Sequence, residues 1–127
     1  MNLYRFDGDL HILDKGENDC AAALEVYEDC YENGLKSYGS GEEAMSSTSL
    51  GLSRSDKDFI EISCHGHQSM TVYSDRLHYP SWWSRTFGWK RHMLIKGDKT
   101  DGEIIIRDFF GLERQEFEAK YADFFCR

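Results

Sequence analysis

The stretch from Phe59 to Ser63 alternates apolar and polar residues, and this pattern constrains the fold more than any other feature of the chain. Successive side chains of a strand point to opposite faces of a sheet, so the pattern predicts a half-buried strand from Phe59 to His65. Sheets with one solvated face are usually antiparallel, because parallel sheets are covered on both sides. Similar runs at Thr48 to Ser53 and Met70 to Ser74 predict flanking strands. The centre of the chain therefore predicts an antiparallel meander.

A hairpin and a helix are expected before this meander. Two short apolar-rich runs, Leu3 to Phe6 and Leu10 to Leu13, are joined by Asp7-Gly8, which favours a tight turn because both residues can take positive φ. The spacing that follows predicts a helix from about Asn18 to Asn33, closed by Gly34 as its C-terminal cap. Its apolar face consists of residues at helical spacing: Ala23, Leu24, Tyr27, Cys30 and Tyr31.

Two helices are expected to close the chain, after a strand over Lys90 to Lys96. Thr100 and Glu103 have the spacing of a capping box, which predicts a helix over Asp101 to Phe110 although the run Ile104 to Ile106 favours a strand. A last helix is expected from about Glu113 to Phe125, with one aromatic face formed by Phe117, Tyr121, Phe124 and Phe125.

These elements predict a single α+β domain over residues 1–127. Its length of 127 residues suffices for a buried core, and one proline with no low-complexity tract leaves no place for a linker. We expect an antiparallel sheet of about four to six strands, the usual size of a sheet. An N-terminal hairpin, one acidic helix after it and two C-terminal helices packed on one side complete the prediction.

The charge of the chain limits the partners it can have. Twenty-three acidic residues against fifteen Lys and Arg give a formal charge of −8. This disfavours nucleic acid or an anionic membrane as partner, because both select a positive field, and it favours a basic protein. The N-terminus lacks the apolar segment of a signal peptide, and no apolar run is long enough for a membrane span. We therefore expect a cytoplasmic protein.

Cysteine and histidine spacing gives little support for a disulfide or a metal. The four cysteines form no C-x-x-C pair, and reduced thiols are the simpler expectation: Cys20, Cys30, Cys64 and Cys126. His65 and His67 point to the same side of a strand, but a third ligand would have to come from His78 or His92. An exposed turn is the favoured interpretation, with no bound metal.

The first helix carries an acidic stripe, which we define as Glu25, Glu28, Asp29 and Glu32. Their spacing of i, i+3, i+4 and i+7 places them on one side of a helix. No Lys or Arg lies within the expected helix to offset them, and each like-charge pair at i, i+4 costs about 0.2–0.5 kcal/mol. The stripe is either an ordinary solvated face or a surface that binds a basic partner.

A second candidate is the basic aromatic segment, residues 76–96, which contains no acidic residue. It holds five cations, namely Arg76, Arg85, Lys90, Arg91 and Lys96. The aromatic side chains can fill the core, while Trp and Arg are also common anchors of protein interfaces. From this segment we select as partner-binding candidates Trp82, Trp83, Arg85 and Trp89. Aromatic residues alternating with cations can also stack on bases and hold phosphates, so a nucleic-acid-associated or regulatory module remains the alternative.

Motifs for catalysis are absent. The chain has no G-x-S-x-G, no P-loop and no H-E-x-x-H. Cys64 with a histidine is a conceivable nucleophile and base, although buried structural cysteines are commoner. The sequence predicts a protein that is not an enzyme and binds no cofactor.

A small, acidic, single-domain chain without a catalytic motif resembles the immunity proteins of bacterial toxin systems, including contact-dependent growth inhibition. The resemblance lies in composition and architecture over the whole chain, and the closing stretch from Asp108 to Tyr121 is typical of such bacterial proteins. It implies an antitoxin that binds a cognate toxin, often a basic nuclease, and blocks it stoichiometrically. No functional residue follows from the resemblance.

Overall fold

A computed structural model of the chain describes residues 2–6, 10–14, 20–39, 48–65, 69–78, 82 and 92–126. The elements follow in this order: β1 Asn2–Phe6, β2 Leu10–Asp14, α1 Cys20–Gly39, β3 Thr48–Ser53, β4 Phe59–His65, β5 Ser69–Asp75, β6 His92–Gly97, α2 Lys99–Gly111, α3 Arg114–Lys120, a 3-10 turn Ala122–Phe124 and β7 Phe125–Cys126. The predicted turns, at Asp7-Gly8 and directly after His65, lie outside these residues.

All described strands form one antiparallel sheet in the order β2-β1-β3-β4-β5-β6-β7. The predicted α+β class is confirmed, with its N-terminal hairpin, the helix after it and the two C-terminal helices. The sheet has seven strands in this part of the chain, beyond the expected four to six. The additional strand is β7, whose two residues pair with β6 after the 3-10 turn.

The sheet has a buried face and an open face, as the alternation in β4 predicts. Inward-facing side chains on the four central strands are buried in one core cluster: Leu50, Leu52, Ile60, Ile62, Cys64, Met70, Val72, Met93 and Ile95. Helix α1 packs on β3 and β4, and α2 packs beside it on β5 and β6. The intervening residues point to the opposite side, which we call the open face. No described helix packs against it.

Helix α1 is longer than its sequence predicts. Its predicted apolar face is confirmed, with Ala23, Tyr27 and Tyr31 buried. The helix continues to Gly39, so the prediction that Gly34 ends it is wrong. A glycine inside a helix costs only about 1 kcal/mol relative to alanine. Packing of one face on a sheet outweighs that cost, because tertiary contacts supply most of a helix's stability.

The stretch predicted as a helix over Asp101 to Phe110 is helical and forms α2, but the residues that cap its first turn are not the predicted ones. Asp98 is the N-cap and Asp101 its reciprocal partner, with Asp101 N donating to Asp98 Oδ1 at 3.0 Å and Asp98 N donating to Asp101 Oδ2 at 3.0 Å. The proposed box of Thr100 and Glu103 is therefore wrong by two residues. Aspartate is at least as good an N-cap as threonine.

The end of the chain departs most from its prediction. Instead of one helix from Glu113 to Phe125, α3 ends at Lys120 and a 3-10 turn leads into β7. Phe117 and Phe125 are buried, but Phe124 is 45% exposed and does not belong to the aromatic face. Phe125 reaches the core from a strand that pairs with β6, not from a helix as predicted.

Among the helices in the described part of the chain, none combines the length and apolar composition needed to cross a membrane.

Candidate partner-binding surfaces

The acidic stripe lies on the solvent side of α1. All four of its residues are exposed, while the opposite side of the helix contributes Ala23 and Tyr27 to the core. Tyr27 contacts α2 in two ways: the hydroxyl end of its ring packs against Gly102, and its hydroxyl donates to the Lys99 carbonyl at 2.9 Å. These contacts hold α1 against α2 and fix the direction in which the stripe points.

Two members of the stripe have counter-charges from other elements. Arg5 of β1 forms an ion pair with Asp29, and Lys99 Nζ of α2 lies 3.5 Å from Glu28 Oε1. The sequence-based view of a stripe without compensating cations is therefore wrong for these two, because helical spacing shows nothing of neighbouring elements. Extension of α1 to Gly39 also brings Lys36 into the helix.

Glu25 and Glu32 remain as the two exposed carboxylates of the stripe for which the described residues offer no ion pair. They lie seven positions apart, so they are separated by about 10 Å along the helix axis. Among the described side chains of α1, the carboxylates without an ion pair therefore lie at these two positions.

The basic aromatic segment is described at its two ends and at Trp82, whose side chain is 63% exposed. The other aromatic and basic candidates, Trp83, Arg85 and Trp89, lie outside the described residues. Arg76 is turned inward: its side chain is 10% exposed, its Nε lies 3.8 Å from Glu118 Oε1, and its guanidinium stacks on the Phe125 ring. Arg76 is therefore engaged within the protein.

A buried ion-pair network holds the start of this segment. Arg114 Nε donates to Glu118 Oε2 at 3.2 Å, and Arg114 Nη2 donates to Ser74 Oγ at 2.8 Å. Glu118 Oε1 in turn accepts from the backbone N–H groups of Leu77 and His78, both at 3.1 Å. The network joins α3 to the end of β5, and sequence analysis missed it because its members are about 40 positions apart.

The open face of the sheet carries a second group of polar and aromatic side chains, which sequence analysis did not select. Tyr4 lies across Gly51, where a Cβ atom would be 1.8 Å from the Tyr4 ring, and its hydroxyl donates to Glu61 Oε1 at 3.1 Å. Burial, followed by the adjacent Glu61 carboxylate, raises the pKa of Tyr4. The alternation in β4 does place Glu61 on this face, but it does not predict the contact with Tyr4.

Next to this pair, Tyr73 and His92 stack with ring centroids 5.6 Å apart. Asp75 Oδ1 accepts from the Tyr73 hydroxyl at 2.9 Å and lies 2.7 Å from His92 Nδ1. Burial and then the hydrogen bond to Asp75 raise the pKa of Tyr73. This cluster joins the ends of β5 and β6, where Asp75 and His92 are partners in the sheet register.

Three cysteines have described side chains, and none of them forms a disulfide. Cys30 and Cys64 are buried, and Cys20 is partly exposed. Burial, with a smaller contribution from Cys30, raises the pKa of Cys64 to about 12. A thiol that stays protonated is a poor nucleophile and a poor metal ligand. The side chains of His65 and His67 lie outside the described set, and within that set no three His, Cys, Asp or Glu side chains are placed to hold a metal ion.

Comparisons of the chain with protein-family models, with curated proteins and with solved structures found no match.

Proposed function

We propose that this protein is an immunity protein, an antitoxin that neutralises a basic toxin in the cytoplasm by stoichiometric binding and has no turnover of its own. The observation that supports this most is the pair of exposed carboxylates, Glu25 and Glu32, on a helix whose other side is locked into the core. A rigid surface with unpaired negative charge suits a partner with a matching positive surface.

The acidic stripe acts mainly on the encounter with the toxin. Opposite charges accelerate diffusional association and orient the two proteins before contact, and the net charge of −8 adds a long-range contribution. Glu25 and Glu32 are the strongest points of attraction, whereas Glu28 and Asp29 have cations of their own. A fitting partner carries two basic groups about 10 Å apart, the separation of seven helical positions.

The alternative, a nucleic-acid-associated or regulatory module that uses the basic aromatic segment, has less support. Phosphate binding needs exposed cations. Arg76 instead contacts Glu118 and Phe125 inside the protein, which removes one of the five cations from such a surface.

Stoichiometric inhibition can be tested by titrating a toxin domain with the protein. A basic toxin domain, sought among the genes that neighbour the gene of this chain, is purified, and its activity is measured while the protein is added in steps. We expect activity to reach zero at one protein molecule per toxin, and co-expression to restore the growth of bacterial cells that produce the toxin. An unrelated acidic protein of similar net charge serves as the control. Inactivation at substoichiometric amounts, or none in excess, would contradict the proposal.

A further inference from the structure

Glu61 stands out among the carboxylates of the open face. It lies near the middle of β4, directly opposite Gly51 on β3 and Tyr73 on β5 in the strand register. The side chain is exposed, and its one side-chain hydrogen bond among the described residues comes from the Tyr4 hydroxyl to Oε1. No cation among the described residues pairs with it.

The Glu61 carboxylate is restrained by one hydrogen bond from a neighbouring tyrosine. The Tyr4 ring lies on the sheet because Gly51 has no side chain, and this brings the Tyr4 hydroxyl within 3.1 Å of the carboxylate. On the other side, Tyr73 is fixed by its bond to Asp75 and its stacking on His92. One carboxylate oxygen is used by Tyr4, and the second has no partner in the described structure.

We infer that this part of the open face binds an arginine side chain of a basic partner protein, with Glu61 pairing with the guanidinium and the rings of Tyr4 and Tyr73 beside it. A carboxylate that accepts from Tyr4 and lies beside the Tyr73 strand position matches arginine, which pairs with carboxylates through planar hydrogen bonds and also stacks on aromatic faces. Lysine fits less well, because its compact ammonium is more strongly hydrated. The inference rests on the proposed function only in taking the arginine from a basic toxin.

This surface is separate from the acidic stripe. Helix α1 covers the buried face of the sheet, and its exposed side points away from the sheet, whereas Glu61 projects from the opposite, open face. A contact at Glu61 and a contact at Glu25 therefore report on different sides of the molecule and can be measured independently.

The test uses a short blocked peptide with two arginines separated by glycines, titrated into the isotopically labelled protein and followed by NMR. We expect the largest shift changes at Tyr4, Glu61 and Tyr73.

Glu61→Gln should weaken binding about fivefold, the upper range for one exposed ion pair. Tyr4→Phe keeps the ring over Gly51 but removes the bond to Glu61, so a smaller loss is expected. The matched control, Asp56→Asn, removes an exposed charge elsewhere.

A peptide with citrulline in place of arginine has the same shape without the charge and should not bind, and a lysine peptide should bind more weakly than the arginine peptide. The inference is overturned if Glu61→Gln binds the arginine peptide as well as the unchanged protein does, or if the shift changes map to α1 instead. The result does not depend on the toxin titration, so failure here and failure of stoichiometric inhibition are distinguishable.

Discussion

At the scale of single residues, close backbone approaches decide how the elements meet. Gly102 of α2 faces Tyr27 of α1, and a Cβ atom at this position would lie 2.2 Å from the Tyr27 hydroxyl oxygen and 2.5 Å from Cζ. Tyr27 cannot move aside easily, because its side chain is fully buried and its hydroxyl is bonded to Lys99. Gly102 therefore permits the contact between α1 and α2.

We expect Gly102→Ala to destabilise the protein although alanine is the better helix former. Overpacking a core costs about 1–3 kcal/mol, and the gain in helix propensity is up to about 1 kcal/mol. The matched control is Gly111→Ala at the end of the same helix, where an added Cβ would meet nothing within 4 Å. This control should be neutral or slightly stabilising in urea denaturation. Equal midpoints for the two variants would show that the Gly102 contact is not tight.

Residue-level signals in the sequence indicated the type of element more reliably than its ends. A capping box correctly predicted α2 as a helix, but Asp98 rather than Thr100 provides the cap. Several acceptable capping residues lie close together in this stretch, and local spacing does not choose among them. Likewise, Gly34 has the form of a helix stop, yet α1 continues to Gly39.

At the scale of elements, α3 is fixed by charge as well as by apolar contacts. Its seven residues include Arg114 and Glu118, whose side chains are 6% and 3% exposed and pair with each other. Arg114 also contacts Asp58 with its Nη1 at 3.3 Å from Asp58 Oδ1. A short helix that is only marginally stable alone is thus tied to the β3–β4 turn and to the end of β5.

We expect Glu118→Ala to be strongly destabilising, by about 3 kcal/mol, because it removes one of the two carboxylates that pair with the buried Arg114 guanidinium and leaves it Asp58 alone among the described residues. It also removes the acceptor for the backbone N–H groups of Leu77 and His78. The control is Glu116→Ala in the same helix, which is exposed and should cost at most about 1 kcal/mol through the helix dipole. Thermal unfolding of both variants provides the comparison, and similar melting temperatures would contradict a structural role for the network.

The positions of the central strands in the sequence were easier to predict than the strands at the edge of the sheet and the contacts between elements. The boundaries of β3 and β4 agree with the sequence pattern because alternation there is regular and both strands are central. The two-residue β7 has no such pattern, since its existence depends on the free edge of β6. Contacts between residues far apart in the sequence, such as Arg114 with Ser74, cannot be predicted from the spacing of residues within one element.

At the scale of the whole molecule, the sheet separates two surfaces. The acidic stripe belongs to the helical side, and the group around Tyr4 and Glu61 belongs to the open face. The sequence predicted the first because helical spacing aligns the four acids, but it missed their partners Arg5 and Lys99. It missed the second because that group assembles from four strands, β1, β3, β4 and β5, and the pairing of strands is needed to see it.

The central claim is that the exposed carboxylates of α1 guide association with a basic toxin. It is tested by stopped-flow association of the toxin domain with the double variant Glu25→Gln/Glu32→Gln, which leaves the ion pairs of Glu28 and Asp29 intact. The matched control is Asp56→Asn/Asp123→Asn, which removes the same charge from exposed positions on other elements.

Slower association of the stripe variant, by about three- to tenfold at low ionic strength, is the predicted result, because exposed charges steer encounter over several ångströms. The difference should vanish near 1 M salt, where the screening length falls to about 3 Å. The control should associate nearly as fast as the unchanged protein. Equal association rates for the unchanged protein, the stripe variant and the control at low salt would contradict the claim.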